Sequence, residues 1–142
     1  PPTFLPRTKE EAQALATRVL KEKTSADMRF LYNWNGLRGS GRNAQVEGFH
    51  VGGKTGTADK VINGRYAKSI NFNAFVAAFP MDQPRYIVLS IIDAPRTGER
   101  GGRTAASTAA PMIKAIIQRV APLLGVQPRF GTPEAEMRLI DY

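Results

Sequence analysis

The 142-residue chain contains no cysteine and only one histidine, His50. The absence of cysteine excludes a disulfide framework, a thiol nucleophile and every cysteine-ligated zinc site. A single histidine excludes a two-histidine metal site, and a Ser-His-Asp triad would have to use His50. We expect no metal and no other cofactor.

Long hydrophobic runs are also missing. The longest apolar stretch, residues 86–92, is far shorter than the ~20 residues that a membrane-spanning helix needs. No signal-peptide pattern is present, and the chain begins with Pro1 rather than Met. We therefore expect an excised or processed piece of a longer protein, with any membrane anchor outside it.

Acidic residues are fewer than basic residues. The chain has 20 Lys and Arg residues against 12 Asp and Glu residues, a formal net charge of +8. An excess of this size keeps a basic, non-catalytic interaction module open as an alternative function. Because the basic residues are scattered along the sequence, the charge favours an ordinary surface, and we expect no nucleic-acid partner.

Helical signals occur in the first 41 residues. Thr8 and Glu11 have the spacing of a capping box, and apolar residues follow at helical spacing as far as Val19. A second helix is predicted from Thr24, ending in the glycine-rich stretch 36–41.

From Gly48 the pattern changes to that of strands. Strands are predicted at residues 49–57, 72–79 and 86–92, the last apolar enough to be buried on both faces, with a polar connection over residues 60–70. Short, turn-rich links between strands favour an antiparallel sheet.

The C-terminal third contains one more helix. Residues 104–124 carry a stripe of apolar residues at helical spacing, formed by Met112, Ile113, Ile116, Ile117 and Val120. The fold class is therefore predicted as α/β of the α+β type, with an antiparallel sheet of at least three strands packed against helices. The length of the chain argues for at most one domain, and residues 126–142 are expected to form a weakly ordered tail.

The segment Gly-Phe-His-Val-Gly-Gly-Lys-Thr-Gly-Thr, residues 48–57, fits two chemical patterns. Its first eight residues match the phosphate-binding loop G-x-x-x-x-G-K-[ST]. Such a loop needs an apolar strand before it and a helix after it. Residues 41–47 make a poor core strand, and Asn63-Gly64 predicts a hairpin where the helix should be. A P-loop nucleotide-binding domain is therefore the less favoured alternative.

The second pattern is Lys54-Thr55-Gly56-Thr57 on an edge-type strand. In acyl-transfer enzymes with a serine nucleophile, Lys-Thr-Gly forms one wall of the active site. A substrate backbone alongside this strand requires a position without a Cβ, which Gly56 supplies. Lys54, Thr55 and Thr57 supply a cation and hydroxyl donors for a substrate carboxylate. The Thr57 backbone N–H is a candidate donor to a developing oxyanion. We predict catalytic roles for Lys54 and Thr57, and substrate binding by all four residues.

The sequence resembles the C-terminal part of the transpeptidase domain of class B penicillin-binding proteins, most of all the division-specific enzymes of alphaproteobacterial type. The resemblance covers residues 1–125 and is carried, in order, by TSADMR (24–29), GSGRNA (39–44), VGGKTGTADK (51–60), NGRY (63–66), FNAFVAAFPMD (72–82), YIVL (86–89) and AAPM (109–112).

This resemblance implies a penicillin-binding, serine β-lactamase-like fold and a peptidoglycan cross-linking enzyme. In that family a serine attacks the D-Ala-D-Ala end of a stem peptide, and an amine of a neighbouring stem takes the acyl group. It implies stem peptides, β-lactams, the remainder of the transpeptidase domain and division proteins as partners, at the periplasmic face of the bacterial inner membrane.

Two of the three family motifs are missing from the chain. None of its five serines begins a Ser-x-x-Lys motif, and Ser69-Ile70-Asn71 fits Ser-x-Asn only by chance, because it follows Lys-Thr-Gly. The nucleophile and its base are therefore expected outside this chain. The isolated chain is expected to be inactive, to expose apolar surface and to be capable of self-association.

Other polar residues are weaker candidates. The resemblance implies cleft walls at residues 60–70 and at residues 95–103, the second of which contains Arg96, Arg100 and Arg103. The composition of both segments fits solvated charged loops equally well. His50 is interpreted as structural or surface-exposed. Asp59 and Asp93 lack a paired carboxylate, so general acid-base catalysis by them is not expected.

Overall fold

The computed structural model describes residues 4–96 and 103–131. In chain order the elements are α1 (Lys9–Ala14), α2 (Glu22–Arg38), a short 3-10 helix (Arg42–Ala44), β1 (Gly52–Ile62), β2 (Arg65–Phe79), β3 (Tyr86–Asp93) and α3 (Ala109–Leu123). The strands form an antiparallel sheet in the order β1-β2-β3, with helices packed against it. The predicted fold class is confirmed. Within the described residues, none of the helices combines the length and apolar character that a bilayer crossing requires.

The core lies between one face of the sheet and α3. Phe75, Ala77 and Phe79 of β2 are buried against Ile113 and Ile117 of α3. α3 begins at Ala109, later than the predicted residue 104, because residues 104–108 form turns. In these turns the Thr104 carbonyl accepts hydrogen bonds from both the backbone N–H and the hydroxyl groups of Ser107 and Thr108.

β1 and β2 form a long hairpin that corrects the predicted connection over residues 60–70. Both strands continue to a two-residue turn at Asn63 and Gly64, whose φ angles of 51° and 76° are those of a primed hairpin turn. The hairpin extends beyond β3, which pairs with β2 only from Phe72 onward. Residues 60–70 are polar because this end of the hairpin is exposed to solvent, not because they form a loop.

β1 begins at Gly52, later than predicted, because residues 47–49 form a turn. His50 follows this turn with a positive φ of 44°, outside the strand. Its side chain is buried, with Nε2 lying 3.2 Å from the Arg129 carbonyl oxygen. The structure therefore gives His50 a packing role.

The prediction that β3 is buried on both faces is wrong. Ile87, Leu89 and Ile91 are 77%, 57% and 51% exposed, whereas Ser90 between them is buried. β3 is an edge strand with one face against α3 and the other uncovered in the described residues. The expectation of an exposed apolar surface is confirmed.

The first two helices differ from the prediction at their ends. Thr8 and Glu11 form the predicted capping box, but α1 ends at Ala14, and Val19 is exposed. α2 begins at Glu22, two residues before the predicted start. It also continues through Gly36, which is buried where the helix passes the backbone of β1.

Residues 126–131 pack against the domain instead of forming the start of a weakly ordered tail. Val126 is buried, and the Arg129 N–H donates to the Gly48 carbonyl at 2.8 Å. The Arg129 side chain also forms an ion pair with Asp82. Residues 132–142 of the predicted tail lie outside the described residues.

Candidate active site

The segment Lys54-Thr55-Gly56-Thr57 lies within β1, at an edge of the three-stranded sheet. Lys54, Gly56 and Thr57 are exposed, and Thr55 is partly buried. A phosphate-binding loop would require a helix to begin at this lysine. The P-loop alternative is therefore wrong for this chain.

Backbone groups of the segment alternate between β2 and the open side of the strand. The Gly53 carbonyl accepts a hydrogen bond of 2.7 Å from Asn35 Nδ2 of α2, so it faces away from β2. Because backbone directions repeat every second residue in an antiparallel strand, the N–H groups of Thr55 and Thr57 also face away from β2. The Thr57 amide thus points to the open side of β1.

Side chains of the segment occupy both faces of the sheet and meet at its edge. Thr55 and Thr57 share a face with their buried β2 partners Phe75 and Asn73, on the side of α3. Lys54 starts from the opposite face, but its Nζ donates to the Thr55 carbonyl at 2.6 Å. The ammonium group therefore lies at the same edge as the Thr57 amide.

Thr57 is also connected to the segment that precedes α3. Its Oγ1 accepts a hydrogen bond of 2.9 Å from the N–H of Ala105, which is fully buried. Beneath it, Asn73 Nδ2 donates to the Arg103 carbonyl at 2.8 Å and lies 2.9 Å from Thr108 Oγ1. The contact with Ala105 uses Thr57 Oγ1 as an acceptor and leaves its O–H available as a donor.

Thr55 is connected in turn to the end of α2. Its Oγ1 lies 2.9 Å from Ser40 Oγ, which lies 3.2 Å from Asn35 Oδ1. Asn35, Ser40 and Asn73 belong to no chemical motif recognised in the sequence. One signal was available for Asn73, which is a polar residue at an inward position of an apolar strand and needs a partner there.

The remaining candidates lie away from these four residues. Asp59 accepts a hydrogen bond of 3.1 Å from Asn71 Nδ2, and Asp93 forms an ion pair of 2.8 Å with Lys60, so both carboxylates serve contacts between strands. Arg96 is exposed, whereas Arg100 lies outside the described residues. Over the two described ranges, no cluster of three His, Asp or Glu side chains is arranged to hold a metal ion.

Comparison with known proteins relates this chain to penicillin-binding protein transpeptidases. Residues 1–118 match the family model of the penicillin binding protein transpeptidase domain. The chain is 37% identical over 121 residues to stage V sporulation protein D of Bacillus subtilis, covering 85% of this chain and 18% of that protein. It is 41% identical over 140 residues to the probable peptidoglycan D,D-transpeptidase FtsI of Caulobacter vibrioides, covering 83% of this chain and 24% of that protein. The chain thus spans less than a quarter of the length of these two relatives.

Solved structures show the same fold. The apo transpeptidase domain of Burkholderia pseudomallei penicillin-binding protein 3 superposes with a TM-score of 0.69 at 31% identity, covering 82% of this chain and 34% of that one. Penicillin-binding protein 3 of Mycobacterium tuberculosis, complexed with ampicillin, gives 0.67 at 25% identity, covering 82% and 27%. On its sequence, its fold and its Lys-Thr-Gly-Thr edge strand, the chain belongs to the penicillin-binding protein transpeptidase family.

Proposed function

We propose that this chain is the C-terminal part of the transpeptidase domain of a peptidoglycan D,D-transpeptidase, and that residues 54–57 form its substrate-binding strand. The observation that carries the proposal is the exposed edge strand Lys54-Thr55-Gly56-Thr57, whose outward amides are available to a ligand. Family membership makes a stem peptide the natural ligand of this strand.

In the proposed reaction, a serine outside this chain attacks the carbonyl carbon of the penultimate D-Ala. The peptide bond to the last D-Ala breaks, that residue leaves with a proton on its amine, and an acyl-enzyme forms. An amine of a second stem peptide then takes the acyl group and releases the serine. The Thr57 amide stabilises the oxyanion of each tetrahedral intermediate, where a fixed donor contributes most.

The substrate carboxylate would be bound by the cation of Lys54 and the hydroxyl groups of Thr55 and Thr57. The contact between Thr57 Oγ1 and the Ala105 N–H supports this role, because it uses the oxygen as an acceptor and frees the O–H to donate. Gly56 provides room for the substrate backbone, since no side chain stands at this position of the edge.

The parent protein is proposed to act in cell division, at the periplasmic face of the inner membrane, with division proteins as partners. The 41% identity to a Caulobacter relative named as a probable FtsI transpeptidase supports the division-specific, alphaproteobacterial assignment. The ampicillin complex of a structural relative supports β-lactams as ligands of the parent.

Covalent labelling by a fluorescent penicillin tests the proposal. A longer protein that contains the missing upstream motifs is expected to form an adduct that survives denaturing electrophoresis, and the 142-residue chain alone is expected to form none. An adduct on the chain alone would place the nucleophile within it and overturn the fragment assignment.

The basic-module alternative predicts a different result. An unlabelled longer protein, together with DNA binding by the chain that weakens steeply with salt, would replace the proposed function with nucleic-acid binding. Labelling of the longer protein without such binding would exclude the alternative.

A further inference from the structure

We propose that Ser40 is a positioning residue that orients the hydroxyl group of Thr55 toward a bound carboxylate. The inference rests on the proposed function of residues 54–57 and adds a residue from outside that strand. Ser40 lies two residues beyond the end of α2, and its Oγ is 2.9 Å from Thr55 Oγ1. If Thr55 donates in this contact, its hydroxyl proton is not available to a ligand, whereas if Ser40 donates, the Thr55 proton is available.

The direction of the network is set by Asn35. Its Nδ2 donates to the Gly53 carbonyl at 2.7 Å, and its Oδ1 accepts the Ser40 backbone N–H at 3.1 Å. Exchanging the amide nitrogen and oxygen would bring two acceptors together at Gly53 and two donors together at Ser40. The Asn35 amide therefore has one satisfactory orientation, with Oδ1 facing Ser40.

That orientation fixes the hydroxyl protons of the ligand-free strand. Ser40 Oγ lies 3.2 Å from Asn35 Oδ1, which can only accept, so this contact uses the single hydroxyl proton of Ser40. Ser40 Oγ must then accept from Thr55. The Thr55 proton is directed to Ser40 in this state and is not offered to a ligand.

A bound carboxylate reverses the direction of the chain. Because a carboxylate only accepts, the Thr55 proton turns toward it, and Thr55 Oγ1 becomes free to accept the Ser40 proton. Asn35 Oδ1 loses the Ser40 hydroxyl but keeps the Ser40 backbone N–H. Two O–H bonds rotate and no proton changes atoms. The hydrogen bond from Ser40 polarises Thr55 and strengthens its bond to the carboxylate.

A double-mutant cycle on the longer transpeptidase protein tests this role. The measurement is the second-order rate constant of acylation by benzylpenicillin, which carries a carboxylate. We expect Ser40→Ala to lower this constant about five- to tenfold, the size of one lost hydrogen bond to a polar network. In a Thr55→Val background, Ser40→Ala should change the constant less than about twofold, because Ser40 acts through Thr55.

Two further variants distinguish the loss of a positioning hydroxyl group from a nonspecific loss of structure. Ser40→Thr keeps the hydroxyl group at an exposed position and should restore most of the rate, whereas Ser25→Ala, an exposed residue of α2, serves as a control without effect. Equal losses from Ser40→Ala in both backgrounds would overturn the positioning role. Failure of the wild-type protein to acylate would instead overturn the proposed function itself.

Discussion

The backbone N–H of Ala105 donates a hydrogen bond of 2.9 Å to Oγ1 of Thr57, joining the edge strand to a segment 48 residues later. Ala105 is fully buried, so its N–H has no access to water. The Thr57 hydroxyl thus has a structural partner on one side and a proposed ligand on the other. The two functions can be separated by substitution.

The structural function of Thr57 predicts a loss of stability in Thr57→Val. Valine has nearly the same shape but leaves the buried Ala105 N–H without an acceptor, at a cost of about 1–3 kcal/mol in the free energy of unfolding. Thr57→Ser keeps the acceptor and should cost less than half as much. Denaturant unfolding of the transpeptidase domain measures both, and equal stabilities of the Val and Ser variants would contradict the contact.

The amide of Thr57 is tested by comparing Thr57→Pro with Thr57→Val. Both variants lose the hydroxyl group, but only proline removes the backbone N–H, which faces away from β2 and makes no ladder hydrogen bond. The two variants should therefore unfold at similar denaturant concentrations. Acylation by penicillin should be about 100- to 1,000-fold slower in the Pro variant than in the Val variant, as expected for a lost oxyanion donor.

Equal acylation rates in the two variants would contradict this prediction. If Thr57→Pro acylates as fast as Thr57→Val while remaining folded, the oxyanion is stabilised by other groups, and the role proposed for this amide is incorrect.

Gly56 and Gly36 form a contrasting pair for the same kind of substitution. A Cβ at Gly56 would meet only Ala74, with its nearest atoms at 3.8 and 3.9 Å, which is ordinary van der Waals contact. A Cβ at Gly36 would collide with the Val51 carbonyl and approach the Gly52 Cα at 3.3 Å.

We therefore expect Gly56→Ala to change the free energy of unfolding by less than about 1 kcal/mol while strongly slowing acylation, because the methyl group stands where the substrate backbone must lie. Gly36→Ala should instead destabilise the fold by about 2 kcal/mol or more, since α2 must move away from β1. Unfolding curves and penicillin labelling of the same samples measure both effects. Undiminished acylation in Gly56→Ala would remove the proposed path of the substrate along β1.

The elements that sequence predicts well are those with purely local signals. The Thr8 capping box and the Asn63-Gly64 turn each depend on a few adjacent residues, and both appear in the structure. The edge position of residues 54–57 followed from the Lys-Thr-Gly pattern and its family resemblance, and β1 is an edge strand.

The features that could not be predicted from the sequence depend on residues far apart along the chain. Glycine weakens an isolated helix, but Gly36 lies within α2 where the helix passes so close to residues 51 and 52 that a Cβ would collide with the Val51 carbonyl. The contact between Ser40 and Thr55 and the contacts of Asn73 join residues 15 to 35 positions apart, and no local pattern encodes such pairs. The exposure of one face of β3 could not be predicted, because the same apolar run occurs in strands that are covered on both faces and in strands that are covered on one.

That exposed face predicts the behaviour of the isolated chain. Ile87, Leu89 and Ile91 form an apolar row on an edge strand, and burying such a row between two copies is favourable at about 25 cal/mol per Å². Sedimentation velocity of the 142-residue chain should show concentration-dependent association. Replacing Ile87 and Leu89 by Thr, which keeps the strand propensity, should shift the chain toward monomer, whereas Val61→Thr on the exposed hairpin should not. A wild-type chain that stays monomeric at high concentration would show that this face does not drive association.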